Sequence, residues 1–271
     1  MTLDLHTHTQ YSDGDLTILE NVKKAMEVGL DGIAITDHDT IDSWGEIDQN
    51  NYPILVIKGV ELSTYYQGES VHILGYYLND GGSYQELNDF LVKTRKERIE
   101  RLDKMIELLK PFDIYLTKEE ILEEADGAVA RPHVAKAIMK KYPERNYSKD
   151  EIFDRFIGND APAYVPVNNF QTVDAVKLLH ENHCLVIVAH PKLIRKFSYQ
   201  ELIQFDIDGI EGVYPYTFTD SHDVILFAEA NHLLVTGGSD YHGPQTRDTI
   251  GKAYLDDKRS KVFLKKIHYE K

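Results

Sequence analysis

Short apolar runs alternate with amphipathic stretches along the first 83 residues. The apolar runs have strand length and predict four strands, at Leu3–Leu5, Gly32–Thr36, Ile54–Leu62 and Val71–Leu78. Between the first two strands, Leu16–Val28 has apolar residues at helical spacing, and Gly29 follows as a helix stop. This alternation of strand and helix is typical of a mostly parallel, barrel-like α/β fold.

The pattern changes after residue 83, where helical spacing takes over. The predicted helices of this segment are Tyr84–Lys110, Thr117–Glu124, Arg131–Lys141 and Ser148–Phe156. The alternation then returns, with predicted helices Val173–Asn182 and Asp220–Asn231 and predicted strands Leu185–Ala189, Gly209–Val213 and Leu233–Gly237. We therefore expect residues 1–83 and 168–271 to build one barrel, with residues 84–167 inserted as a helical domain that caps it.

Polar side chains gather where the predicted strands end. The groups are Asp4-Leu5-His6-Thr7-His8, Thr36-Asp37-His38-Asp39, Glu61, Ala189-His190-Pro191 and Ser239-Asp240-Tyr241-His242, while His72 opens its strand. The carboxyl ends of parallel barrel strands share one face, so these side chains are expected to converge. A buried imidazole or carboxylate without a partner costs several kcal/mol. Divalent metal ions are the economical common partner for so many of them.

The spacing of His6 and His8 fits this interpretation. Residues two apart on an extended segment point to the same side, so both imidazoles can reach one ion. Asp240 and His242 repeat the spacing. Asp13, in a Ser-Asp-Gly turn, can reach inward from the first loop. Asp37 and Asp39 are either partners that orient ligand histidines or turn residues.

The overall charge limits the choice of partner. The chain carries a net charge of −15, which disfavours attraction to long duplex nucleic acid. Bound metal can reverse the sign locally, so a nucleotide or a short RNA is still possible. No apolar run approaches the ~18 residues of a membrane span, so no membrane partner is expected. With Cys184 as its single cysteine, the chain is expected in the cytoplasm; the sequence leaves its oligomeric state open.

The motifs DLHTHT, SDG, TDHD, GVELS, VHILGY, AHP and GSDYHG together resemble the PHP (polymerase and histidinol phosphatase) family of phosphoesterases. The likeness is greatest to its stand-alone bacterial branch with a helical insertion. It implies a distorted (β/α)7 TIM-like barrel and three divalent metal ions, of Mn, Fe or Zn. In that family pattern the first ion has ligands His6, His8, Glu61 and Asp240, the second Glu61, His72 and His190, and the third Asp13, His38 and His242.

The resemblance also implies an activity. Hydrolysis of a phosphate ester by metal-bound hydroxide is expected, with His190 and Asp240 as catalytic residues. Insertion-bearing relatives contact the substrate phosphate through a similar Arg-Pro-His, which predicts Arg131 and His133 as binding residues, with Lys192 as a further candidate. The expected substrate is a small phosphorylated molecule: a 3',5'-bisphosphonucleoside, a nucleoside monophosphate or the 5' end of a short RNA.

Three alternatives are left open. The first is a histidinol-phosphate phosphatase, with the same chemistry and a different pocket. The second is a metallo-amidohydrolase, which would want a bridging lysine where this chain has Glu61. The third is a metal-binding regulatory module without turnover, which loss of ligands would mark; the sequence shows no such loss.

Overall fold

Seven strands and eight helices are defined in a computed structural model that describes residues 1–125, 128–165, 170–216, 219–244 and 249–269. The strands are β1 (Leu3–Thr7), β2 (Gly32–Ile35), β3 (Leu55–Tyr66), β4 (Glu69–Tyr77), β5 (Cys184–Val188), β6 (Gly209–Val213) and β7 (Leu234–Gly237). The helices are α1 (Ile18–Glu27), α2 (Gln85–Leu109), α3 (Lys118–Leu122), α4 (Arg131–Lys141), α5 (Lys149–Ile152), α6 (Thr172–Glu181), α7 (His222–Ala230) and α8 (Asp257–Lys266). A π-helical turn, Phe153–Ile157, follows α5.

The strands form one sheet in chain order, and this sheet nearly closes on itself. After β7, the Asp240 backbone N–H donates to the carbonyl of His6 (2.8 Å), and the His8 N–H donates to the carbonyl of Tyr241 (2.9 Å). These two bonds join the last strand to the first. The distorted (β/α)7 TIM-like barrel expected from the sequence is therefore confirmed.

One strand runs against the others. β4 pairs antiparallel with both β3 and β5, while the remaining neighbours are parallel. β3 and β4 are joined by Gln67 and Gly68, which both have positive φ (45° and 82°), as in a type I′ hairpin turn. The reversal places His72 opposite Ser63, near the carboxyl end of β3. His72 therefore reaches the same end of the barrel as Glu61.

A register shift in β1 also positions a site residue. Leu3 and Leu5 belong to the apolar cluster that includes Leu55 and Ile57 of β3. Strict alternation would turn His6 to the opposite face, but the pairing of β1 with β2 shifts between Asp4 and Thr7. Such bulges re-aim side chains, and here the shift keeps His6 on the face of Leu5 and Glu61.

The segment between β4 and β5 has an apolar cluster of its own. Leu87 and Leu91, early in α2, pack into the barrel's cluster, whereas Leu102 and Met105, later in α2, pack into a separate one. The separate cluster also contains buried residues of α3, α4 and α5, among them Ile121, Val134, Ile138 and Ile152. It supports the division into residues 1–83, 84–167 and 168–271, which stays a prediction. The second predicted boundary lies outside the described residues.

α8 was not predicted from the sequence. Asp256 caps it by accepting the N–H of Arg259 (2.9 Å), and Phe263 packs edge-to-face on Tyr76 of β4 (5.0 Å between ring centroids). α8 thus closes the end of the barrel opposite the predicted site. In the described ranges, each helix is too short or too polar to span a bilayer.

Candidate metal centre

The Glu61 carboxylate lies at the centre of the predicted site. Its Oε2 atom is 3.2 Å from Nε2 of His6, 3.3 Å from Nε2 of His8 and 3.0 Å from Nδ1 of His38. Glu61 itself is fully buried at the end of the barrel. Three histidines from two separate segments thus meet one carboxylate oxygen.

The other Glu61 oxygen serves a second group of residues. Oε1 lies 2.8 Å from Nδ1 of His72 and 3.0 Å from Nε2 of His190. Asp240 joins the first group, with Oδ1 3.1 Å from Nε2 of His8 and 3.4 Å from Nε2 of His6. Glu61 therefore has the position that a carboxylate bridging two ions would need.

The remaining predicted ligands lie beside His8. The rings of His8 and His242 stack at 4.0 Å, and Nε2 of His242 is 3.4 Å from Oδ1 of Asp13. Among the residues that the structure describes, ligand atoms within 4.8 Å of one another form three groups: His6, His8, Glu61 and Asp240; His8, Asp13, His38 and His242; and His38, Glu61 and His72. The first group equals the first ligand set implied by the family resemblance, and the second contains the third set. In the last group His38 stands where the resemblance puts His190.

Several buried atoms of this cluster have no hydrogen-bond partner in the described part of the chain. They are Nε2 of His6, Nδ1 of His8, Oδ1 of Asp13, Nδ1 of His38 and Oε2 of Glu61. Of these atoms, Nε2 of His6 and Nδ1 of His38 lie 3.2 Å and 3.0 Å from Oε2 of Glu61 without forming a hydrogen bond. Neighbouring ligands of one ion with bonds of about 2.1 Å lie about 3.0–3.4 Å apart, which matches the separations around Glu61. The orphaned atoms and their spacing thus fit divalent metal ions.

The charges of the cluster are strongly coupled. Burial alone would raise the pKa of Glu61, but His38 and His6 hold it well below its usual range. Burial likewise opposes the protonation of His8, yet Asp240 and Glu61 raise its pKa to about 10. Without metal, ionised carboxylates therefore face protonated His6 and His8, whereas burial lowers the pKa of His38 to about 3 and keeps it neutral.

Metal loading should release protons from this cluster. His6 and His8 have raised pKa values in the metal-free protein, and an imidazole must be neutral to bind a metal ion. The pKa of His190, a third proposed ligand, is raised as well. We expect release of at least about two protons at pH 7, and metal affinity that rises with pH up to the pKa of His8 at about 10. Calorimetry of Mn²⁺ binding in buffers of different ionisation enthalpy measures the count. His180→Asn, which removes a surface histidine bound to Asp208, is the matched control and should leave it unchanged. A count of zero would contradict this electrostatic account.

Two predicted ligands have an unusual backbone conformation. His190 (φ 26°) and Asp240 (φ 55°) have positive φ, as do residues outside the site such as His183 and His232. The His190 N–H donates to Oε2 of Glu211 (2.7 Å), and the Asp240 N–H donates to the carbonyl of His6 (2.8 Å). Hydrogen bonds to Glu211 and His6 therefore hold the backbone of these two ligands in place.

Glu211, on β6, is a supporting residue that the sequence analysis missed. Its Oε1 lies 3.0 Å from Nδ1 of His6, and its Oε2 accepts the N–H of His190. It is almost fully buried. One carboxylate thus fixes the ring of His6 and the backbone of His190. A charged residue inside the otherwise apolar strand Gly209–Val213 was the available signal.

Replacing Glu211 should weaken the centre without emptying it. Glu211→Ala removes the acceptors that orient His6 and His190, and loss of such a partner typically lowers metal affinity about 10- to 100-fold. Glu211→Gln retains one acceptor oxygen and should lie between the variant and the wild type. Competition with a chromogenic chelator measures the affinity, and Glu229→Gln, an exposed change on α7, is the control. Wild-type affinity in Glu211→Ala would contradict the positioning role.

Asp37 holds groups of the first loop, and Asp39 binds groups of β3 and α2; the hydrogen bonds described for both go to groups other than histidines. Asp37 accepts the N–H of Thr9 (2.7 Å) and the hydroxyl of Ser12 (2.8 Å). Asp39 accepts the N–H of Ser63 (2.9 Å) and pairs with Arg98. Of the two roles considered, holding the turns agrees with these contacts.

A cavity of about 280 Å³ opens beside the cluster. Four predicted ligands line it (Asp13, His38, His72 and His242), together with residues of β3, β4, α2, α4, α5 and neighbouring turns. Cations and aromatic rings make up much of the remaining lining, here called the cationic wall: Arg98, Arg101, Arg131, Lys149, Tyr65, Phe153 and Tyr164. Arg98, Arg101 and Lys149 were not predicted as site residues. Charged residues on helices rich in charge are typical of a solvent-exposed face.

The predicted substrate-binding residues divide in their placement. Arg131 lines the cavity and donates to the Asn159 side chain (2.8 Å). His133 is buried behind that wall, where its Nδ1 accepts the N–H of Ala130 (2.9 Å). Lys192 is not brought to the cavity. Its ammonium group is engaged by the Thr219 hydroxyl (3.0 Å), the Asp220 carbonyl (3.0 Å) and the Asp223 carboxylate (2.7 Å).

Comparisons with known proteins agree with this geometry. The chain is 28% identical over 253 residues to the 5'-3' exoribonuclease Rnm of Escherichia coli, covering 89% of this chain and 85% of that one. It is 25% identical over 255 residues to the 3',5'-nucleoside bisphosphate phosphatase of Chromobacterium violaceum, covering 89% and 87%. A structure from Bifidobacterium adolescentis, described as a candidate metal-dependent phosphoesterase, superposes with a TM-score of 0.85 at 25% identity, covering 97% and 96%.

A sequence model of the PHP domain matches residues 4–149, which is more than half of the chain. These residues contain the motifs around His6, His38, Glu61 and His72. The fold then brings His190, from the later part of the chain, into contact with Glu61. The family resemblance drawn from the motifs is confirmed, and the chain belongs to the PHP domain family.

Proposed function

We propose that this protein is a metal-dependent phosphoesterase that hydrolyses a phosphate ester of a nucleotide-like substrate. The observation that carries the proposal is the cavity, whose lining combines His and Asp residues of the metal-ligand cluster with the side chains of the cationic wall. A phosphoryl group needs both, because its charge must be neutralised on the reacting and the non-reacting side. The expected enzyme class, a hydrolase of phosphoric ester bonds, is confirmed by the activities for which the relatives are named.

We assign the centre to three divalent ions, of Mn, Fe or Zn, all of which suit imidazole and carboxylate ligands. The proposed ligands are His6, His8, Glu61 and Asp240 for one ion, Glu61, His72 and His190 for the second, and Asp13, His38 and His242 for the third. Such ions lower the pKa of bound water toward ~7 and stabilise charge on phosphoryl oxygens. With +6 from the ions and −3 from the three carboxylates, the centre would attract a phosphate dianion even on a chain of net charge −15.

The residues of the chain have distinct proposed roles. His190 and Asp240, whose backbone N–H groups are held by Glu211 and His6, are proposed as the catalytic residues. The second oxygen of Asp240 accepts the Tyr214 hydroxyl (2.8 Å), which fixes the carboxylate plane. Arg131 is proposed to bind the substrate phosphate, because it lines the cavity and its guanidinium donates, among the described residues, to neutral oxygens. His133, behind it, is proposed to support that contact.

The aromatic lining favours a nucleoside over a smaller alcohol. Tyr65, Phe153 and Tyr164 line both the cavity and the wider groove that continues from it. Aromatic rings stack on nucleobases without sequence preference. The recessed site suits a mononucleotide or the end of a short single strand rather than a long duplex.

A phosphate-release screen of the Mn²⁺-loaded protein tests this function. The substrates are adenosine 3',5'-bisphosphate, adenosine monophosphates, a short 5'-phosphorylated RNA and histidinol phosphate, with Asp240→Asn as the control variant. We expect turnover of the nucleotide-like substrates and a loss of at least about a hundredfold in the variant. Release from histidinol phosphate alone would favour the histidinol-phosphate phosphatase. A fully metallated protein with no turnover of any substrate would favour the regulatory module.

A further inference from the structure

Arg101 is a buried cation without a counter-ion. It is 8% exposed, and its guanidinium has no hydrogen bond or ion pair within the described part of the chain. Burial, together with Arg98 and Arg131 nearby, lowers the pKa of the group to about 9, so it is still protonated at neutral pH. An unpaired buried charge costs several kcal/mol, and proteins retain it where a ligand supplies the missing partner.

The neighbouring Arg98, in contrast to Arg101, has partners for its buried guanidinium. Arg98 lies one helical turn before Arg101 on α2, so both side chains project from the same face. Its guanidinium pairs with Asp39 and donates to the Ser63 hydroxyl (3.0 Å) and the Val129 carbonyl (3.3 Å). Arg98 thus connects α2 to the barrel, whereas Arg101 makes no hydrogen bond or ion pair of this kind with the described residues.

Two other cations border the same space. Lys149, the first residue of α5, lines the cavity and has no hydrogen bond or ion pair to the described residues. Arg131 lines it too, with hydrogen bonds only to the carbonyl of Ile157 (3.2 Å) and the side chain of Asn159 (2.8 Å). No carboxylate outside the metal centre lines the cavity in the described ranges. Arg101 and Lys149 therefore add two positive charges to this lining without an ion-pair partner among the described residues.

We propose that Arg101 and Lys149, beside Arg131, form a second phosphate subsite, which binds the phosphate group that is not cleaved. This inference rests on the proposed function and narrows it to substrates with two phosphate groups, or with a phosphodiester next to the one attacked. The metal centre and the cationic wall then bind different phosphate groups. The metal centre holds the reacting phosphoryl group, and the cationic wall selects ligands with a second anion and sets their orientation.

The test compares adenosine 3',5'-bisphosphate with adenosine 3'-monophosphate and adenosine 5'-monophosphate. We expect the Mn²⁺-loaded wild type to prefer the bisphosphate in kcat/KM, and Arg101→Gln to reduce that preference about 10- to 100-fold, the usual effect of losing a charge-assisted contact to phosphate. Arg101→Lys should retain part of it. Lys104→Gln, an exposed change on the same helix, is the matched control and should keep the wild-type ratio.

The melting temperature of Arg101→Gln is the control for folding. Removing an unpaired buried charge should leave the Tm of Arg101→Gln equal to the wild type or higher, whereas a structural arginine would lower it. An unchanged substrate ratio in Arg101→Gln, or no preference in the wild type, would overturn the subsite. If the wild type cleaves none of these esters, the proposed function fails. The ratio of Kd values of wild type and Arg101→Gln for the same nucleotides, from calorimetry, then still decides the subsite alone.

Discussion

Glu61→Gln should abolish turnover and deplete the metal centre. Its two oxygens lie within 3.3 Å of imidazole nitrogens of His6, His8, His38, His72 and His190. An amide removes the negative charge and presents an N–H₂ group to nitrogens that should face a cation. We expect kcat to fall about a thousandfold or more, equivalent to roughly 4 kcal/mol of barrier.

The matching measurements separate lost chemistry from lost fold. Metal analysis of purified Glu61→Gln should find fewer ions per chain than in the wild type, and circular dichroism should find the same secondary structure. Glu27→Gln, an exposed change at the end of α1, is the control and should behave as the wild type. A Glu61→Gln protein with wild-type metal content and turnover would show that the centre is not built around this carboxylate.

The metal-centre residues could be predicted because their chemistry conflicts with their position. His6, His38 and Asp240 lie at the ends of apolar strands, where burying a polar side chain is unfavourable unless it binds a partner. The alternation of predicted strands and helices along the chain then predicts the barrel. The sequence indicates less clearly whether two neighbouring strands run parallel or antiparallel. The turn at Gln67–Gly68 was the available signal for the reversed β4, but the strands were predicted to end at Leu62 and begin at Val71, which hid it.

The residues missed by the sequence analysis have roles that arise only from packing. Arg98 and Arg101 lie in a helix rich in both charges, and α2 buries them only because its second half crosses to the separate cluster. Phe263 and Leu264 are buried in α8, a segment whose other residues are mostly charged. In both cases the local pattern describes a solvated helix, and the partner that buries it comes from elsewhere in the chain.

Removing the metal should reveal how much of the stability the centre supplies. Dialysis against a strong chelator is expected to abolish phosphate release, and Mn²⁺ should restore it. The barrel itself should persist, because Glu61 and Asp240 still pair with protonated His6 and His8 in the metal-free state. Binding at a hundred times Kd stabilises by about 2.7 kcal/mol per site. In a chain of this size that shift corresponds to about 5 °C in Tm for each ion lost.

Calorimetric scans with and without chelator give that shift, and the same scans on Glu61→Gln provide the control. Because the variant already lacks the bridging carboxylate, the chelator should lower its Tm much less than that of the wild type. A wild-type Tm that chelator leaves unchanged, with turnover retained, would mean that no tightly held ion connects the strand ends. The orphaned atoms of His6, His38 and Glu61 would then need another partner.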